Sequence, residues 1–257
     1  MTGRAVVLLE TSGNQRHIFA TNKLRENVGA SEQVYRSCRA RLVEVLRRLG
    51  GPELPAGELE LADALLDPTV NPPIGESQAA YEIVLAGSGI ATVLAASSEH
   101  GLRLVDAITR GALREAPGLT LRGAVEPHDS ARPNALREAE RRARRRLREL
   151  RAELPSPAAR YLRLPIVEEC ATSGLPAQRV DPDRDRPDRY LARSAVSHRK
   201  HGAAQEGLDR QRALQPEPVR DLIPRLRRSW RTCSTRACAG WAYCTRTATA
   251  WAGGSCG

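Results

Sequence analysis

Hydrophobic residues run unbroken through RAVVLLE, Arg4 to Glu10, a pattern that predicts a β-strand covered on both faces. From Ser31 the apolar positions change period. Val34, Cys38, Leu42, Val45 and Leu49 recur at steps of three and four with arginines between them, predicting one helix that Gly50 and Gly51 end. A Pro/Gly-punctuated stretch follows over 52–77, with one short helix in GELELADALL. YEIVLAGSGIATVLAAS then places two apolar runs on either side of Gly87-Ser88-Gly89, which reads as a β-hairpin. SEHGLRLVDAITRGALREAPG reads as a helix with Ser97 or Ser98 as N-cap and Gly118 past its end, and LTLRGAV as a fourth strand. The order β-α-β-β-α-β predicts an α+β, ferredoxin-like domain over residues 1–130.

Residues 131–226 read as a helical and irregular extension. RPNALREAERRARRRLRELRAEL predicts a long helix whose narrow seam is Leu136, Ala139, Ala143, Leu147, Leu150 and Leu154, the other faces being nearly all Arg and Glu. Such a face is either a solvated surface or one turned towards RNA or DNA. Residues 155–187 read as irregular around a compact CATSGLPA element, and RYLARSAVSHRKHGAAQEGLDRQRAL reads as helical again.

Composition adjusts this picture in two ways. Aromatic residues make up only 4% of the 257-residue chain, so the core must be built from Leu, Val, Ile and Ala. The net charge is +10, and all but two of the 40 basic residues are arginine, the exceptions being Lys23 and Lys200. A basic excess suits an anionic partner, although arginine bias also follows from GC-rich coding. No run reaches the roughly 18 apolar residues of a membrane span, and the N-terminus lacks a secretory pattern, so a cytoplasmic, non-membrane protein is expected.

The last 31 residues, 227–257, break with everything before them. They contain no Val, Ile, Leu, Met, Phe, Asp or Glu, yet hold Trp230, Trp241, Trp251, Cys233, Cys238, Cys244 and Cys256. The cysteine spacing has no C-x2-C pair and no nearby histidine, which argues against zinc. Arg, Ala, Gly, Thr, Cys and Trp are what GC-rich DNA yields out of frame. A two-nucleotide shift of CTRTATAWA permits His-Ala-Asp-Gly-Asn-Gly-Leu-Gly. The expectation is a frame disruption near Leu226 to Ser229, leaving a disordered tail on a truncated protein.

The chemistry concentrates after the first strand, in ETSGNQRHIFATNKLRENVGAS. Backbone amides around Ser12, Gly13 and Asn14 can form an anion nest, Asn14 or Gln15 can read a base or sugar edge, and Lys23 and Arg25 can meet phosphate. His17, His198 and His201 are expected on the surface. LLETSGNQRHIF resembles the first palm strand and turn in the large subunit of type III CRISPR effector complexes, through Glu10, Ser12, Gly13, Gln15, His17, Ile18 and Phe19. NKLRENVGAS is similar to the segment that follows in that family, through Leu24, Arg25, Gly29 and Ser31. The resemblance covers roughly residues 4 to 125. It implies a polymerase or nucleotidyl-cyclase palm in a defence or signalling setting. The shifted-frame Asp-Gly-Asn-Gly would open a second palm, in keeping with a family whose members carry two.

Palm chemistry uses paired Mg²⁺ ions held by carboxylates on the first strand and on the hairpin. Glu10 would stand in for the first-strand Asp as metal ligand. Where the family carries Gly-Gly-Asp-Asp, this chain has Ala86, Gly87, Ser88 and Gly89, with no carboxylate. The expected function is therefore a degenerate palm that binds a nucleoside triphosphate through Thr11, Ser12, Gly13, Asn14, Gln15, Lys23, Arg25, Gly87, Ser88 and Gly89, with at most weak Mg²⁺ binding and no turnover. The alternatives are a basic RNA-binding module on a ferredoxin-like sheet, for which the strands lack an aromatic pair, and a small-ligand regulatory domain.

Overall fold

The computed structural model describes residues 3–55, 58–74, 78–129, 131–153, 164–182 and 190–214. Residues Met1–Leu208 form one compact unit and Asp209–Gly257 a second; of the latter, the described part is the last turns of a helix. The expected tail over 227–257 lies outside the described residues.

The chain opens with β1 (Arg4–Ser12), followed by α1 (Asn14–Ile18), α2 (Leu24–Ser37), α3 (Ala40–Arg48) and α4 (Glu58–Leu66). The hairpin β2 (Tyr81–Gly87) and β3 (Ile90–Ala95) leads through α5 (Ser98–Glu115) to β4 (Thr120–His128) and α6 (Ala135–Glu153). β5 (Arg179–Pro182), β6 (Tyr190–Arg193) and α7 (Ala195–Leu214) complete the described elements. The first four strands make an antiparallel sheet in the order β2-β3-β1-β4, with β1 at its centre; β5 and β6 form a separate pair.

The unbroken apolar run of β1 has the cause expected of it. Val7 and Leu9 face α3 and α5 in the main core, while Val6 and Leu8 face α6 together with Ala124, Ala139, Ala143 and Leu147. All four strand residues are buried, and each such side chain contributes roughly 1.5–3 kcal/mol when fully withdrawn from water. Packing is close enough to exclude side chains at chosen points. A Cβ on Gly101 of α5 would lie 2.7 Å from a Val125 methyl, and one on Gly29 of α2 would lie 1.7 Å from the Lys200 carbonyl oxygen. The second contact fixes α7 directly against the α2 backbone.

Several expectations need correction. The helix predicted from Ser31 to Leu49 is two helices, starting at Leu24 and interrupted at Cys38-Arg39, where Arg39 leaves helical geometry and its guanidinium sits 5.2 Å from the Tyr35 ring. Leu136 is not in the α6 seam: it is 46% exposed, and Ala135 takes the inward position one residue earlier. The segment Tyr190–Arg193, expected to be helical, pairs with Arg179–Pro182 as a strand, and α7 begins only at Ala195. Ser97 caps α5 as expected, its hydroxyl accepting from the His100 N–H.

Candidate functional site

The end of β1 and the glycine hairpin meet. Thr11 donates its backbone N–H to the Gly89 carbonyl at 2.7 Å and its hydroxyl to the same oxygen at 3.1 Å. Gly89 has φ +73°, and a Cβ there would fall 2.3 Å from Thr11 Oγ1 and 3.3 Å from Asn14 Nδ2. Glycine is thus required twice, by the left-handed backbone and by the contact. Gly13 is also left-handed, at φ +69°, but a Cβ would have nothing within 4 Å, so space is open in front of it. The Asn14 Oδ1 atom is buried with no hydrogen-bond partner among the described residues, while Gln15 and Ser88 are exposed.

Strand alternation puts Glu10 and Ser12 on the α6 side of the sheet. Glu10 pairs across with Ile90 on β3 and Arg122 on β4. Its carboxylate accepts a 2.6 Å bond from Arg151 near the end of α6. Arg122, almost fully buried, donates to the Ser12 hydroxyl at 2.7 Å. The carboxylate singled out as a metal ligand thus lies among guanidinium groups. Among the described residues, no group of three or more His, Cys, Asp or Glu side chains is placed to hold a metal ion. Glu10 alone, already engaged by Arg151, does not make a two-metal site.

Lys23 is the N-cap residue of α2, and Arg25 follows within the helix. Lys23 is exposed and bonded through its N–H to Thr21 Oγ1, and Arg25 is half-buried in the first turn. Arg122 and Arg151 are the residues that sequence reasoning missed. Arg122 had a signal, since alternation in LTLRGAV sets it on the same face as Ala124; Arg151 had none to separate it from its neighbouring arginines.

A second polar centre joins α2 to the later elements. Glu26 is 2% exposed and accepts from Ser197 Oγ at 2.8 Å, Thr172 Oγ1 at 2.9 Å and Arg193 Nη1 at 3.1 Å. Lys200, also buried, donates its ammonium to the His17 carbonyl, and burial draws its pKa down. His17 is itself buried, not on the surface as expected, with Nε2 3.0 Å from Gln33 Oε1. Desolvation, helped by the Lys200 charge, lowers its pKa to about 4. His198 is half-exposed: Arg179 Nη1, which can only donate, faces Nε2 at 3.2 Å, so Nδ1 carries the proton towards Asp181 at 3.0 Å. Beside this cluster, burial would raise the Cys170 pKa, but the Ser173 and Thr172 hydroxyls and the Ser194 and Thr172 backbone outweigh it and bring it to about 6. Around Glu26 the polar groups satisfy one another, the mark of a structural clamp.

A groove of about 520 Å³ opens between α2, α5 and α7. Of its guanidiniums, Arg36 is paired with Glu206 and Arg41 with Glu115, while Arg199 is exposed. No protein-family model and no curated protein matches this chain. No described helix is long and apolar enough to cross a membrane.

Proposed function

We infer that the β1 end and the β2-β3 hairpin form a nucleotide-binding palm of the kind found in type III CRISPR large subunits, one that holds its ligand without turning it over. The observation that carries this reading is the pairing of Glu10 with Arg151, opposite a hairpin that has glycine and serine where metal-binding carboxylates would stand. The antiparallel order β2-β3-β1-β4, with the first strand central and helices between the strands, supports this reading, since a ferredoxin-like palm would be built in that way. Arg122 at Ser12 and Arg151 at Glu10 supply positive charge, and the open space at Gly13 gives a phosphate room to approach the backbone. Asn14 offers an acceptor for a sugar or base donor.

Magnesium would enter as the counter-ion of the triphosphate, since among the described residues Glu10 is the one carboxylate this strand end provides. Two-metal activation of a 3′-hydroxyl needs a second acidic anchor. The setting suggested by the palm resemblance is defence or signalling in the cytoplasm.

Calorimetric titration of the full chain with MgATP and MgGTP tests the reading. Weak, saturable binding is expected, reduced by Arg122→Gln and, if the α2 approach contributes, by Arg25→Ala. Absence of binding to either nucleotide contradicts it. The alternative of an RNA-binding sheet is disfavoured by α6, which covers the β1-β4 part of that face, and by the burial of Tyr81.

A further inference from the structure

Helix α6 carries eight arginines, and the structure divides them into two sets. Arg142, Arg144, Arg146 and Arg151 are tied to Glu126, Glu140, Glu149 and Glu10. Arg137, Arg141, Arg145 and Arg148 are exposed and have no ion-pair partner among the described residues. These four follow one another at steps of four, four and three, so a 3.6-residue turn sets them in a single row. The row lies opposite the buried seam of Ala135, Ala139, Ala143 and Leu147, and so points directly away from the sheet. Glu138 stands at its edge. At about 1.5 Å per residue, the row extends roughly 16 Å.

We propose that this row is a binding surface for the phosphate backbone of double-stranded nucleic acid, read without regard to sequence. The proposal is independent of the nucleotide reading above. Four outward guanidiniums over roughly 16 Å meet a duplex whose charges are spaced about 1.7 Å along its axis, so each can face a phosphate. The helix has no Phe, Tyr or Trp on which unpaired bases could stack, which disfavours single strands. It has no Asn or Gln to read adenine edges either. A membrane surface is disfavoured because the apolar seam that would enter lipid is spent on Val6, Leu8 and Ala124. A protein partner would want an apolar or aromatic anchor, which the row lacks.

The test is fluorescence anisotropy of the full chain with a 24-base-pair duplex, in DNA and RNA forms, over a salt series. Matching single strands and phosphatidylserine vesicles serve as comparisons. Two variants remove equal charge: Arg137→Gln with Arg141→Gln, Arg145→Gln and Arg148→Gln, and a control at the ion-paired Arg48, Arg103, Arg110 and Arg144. Duplex affinity should fall on a log–log salt plot with a slope of about −3 to −4, as four phosphate contacts require. The row variant should lose at least tenfold in affinity and flatten that slope, and the control should change less than threefold. Equal losses in both variants, no salt-dependent duplex binding, tighter binding to single strands, or preference for vesicles would each overturn the proposal. Unchanged circular dichroism of the row variant shows that the helix is intact.

Discussion

Glu10 on the central strand and Arg151 on α6, 141 residues apart, meet through a 2.6 Å hydrogen bond. The pair is partly exposed, so its contribution to stability is about 0.2–1 kcal/mol. Strength is therefore not its significance. Its effect is to set a positive charge beside Glu10, where the palm proposed above would otherwise hold a divalent cation.

The hairpin contact makes a sharp stability prediction. Gly89→Ala adds a side chain to a left-handed residue and drives it against Thr11 Oγ1, so a loss of about 2–3 kcal/mol or more is expected. Ser88→Ala, at the exposed neighbour, should stay within about 0.5 kcal/mol. Urea midpoints measure both, and a tolerated Gly89→Ala would show that the strand end and hairpin are not locked as described.

Glu26 neutralises two buried cations, Arg193 through a direct bond and Lys200 through its field. Removing it takes away the carboxylate that offsets the burial of Lys200 and leaves Arg193 with Asp181 alone as a countercharge, 3.6 Å from its Nε, so Glu26→Ala should cost about 3–5 kcal/mol. Glu26→Gln should cost less because the Ser197 and Thr172 hydroxyls keep an acceptor. Chemical denaturation decides; a cost below about 1 kcal/mol for the alanine variant would remove the cluster from its role as a clamp.

His17 gives a pH dependence of defined sign. Its pKa is about 4 in the folded chain against 6.5 when exposed, so between these values the unfolded state binds the extra proton. Stability from this residue is full above about pH 6.5 and falls as pH drops towards 4, by about 3 kcal/mol in total. A His17→Gln variant should lose that part of the slope. Parallel stability curves for the two proteins across this window would contradict the burial of a neutral imidazole.

The two described cysteines should behave oppositely. Burial pushes the Cys38 thiol up to about 12, whereas Cys170 is held at about 6. Alkylation followed by peptide mapping at neutral pH should label Cys170 ahead of Cys38, which should stay untouched until the chain unfolds. Faster labelling of Cys38 would reverse this assignment.

What the sequence made legible follows the range of the forces involved. The β1 run, the Ser88-Gly89 turn and the Ser97 cap are local, and a short window of residues contains the whole cause of each. The break at Cys38-Arg39 was hidden because apolar spacing continues through it and neither Gly nor Pro marks it. The strand at Tyr190–Arg193 is too short to display alternation, and its partner Arg179–Pro182 ends in a proline. The burial of His17 depends on Gln33 and Lys200, and the Glu10–Arg151 pair on one arginine among eight in α6. Those pairings are made by tertiary packing, which no local pattern records.

The most direct test of the central claim is pyrophosphate release by the full chain incubated with ATP or GTP and either Mg²⁺ or Mn²⁺. The account predicts none above the protein-free blank, both for the natural sequence and for Arg151→Ala, because freeing Glu10 restores a single carboxylate and no second anchor. Sustained pyrophosphate release with cyclic or linear oligonucleotide products would contradict it.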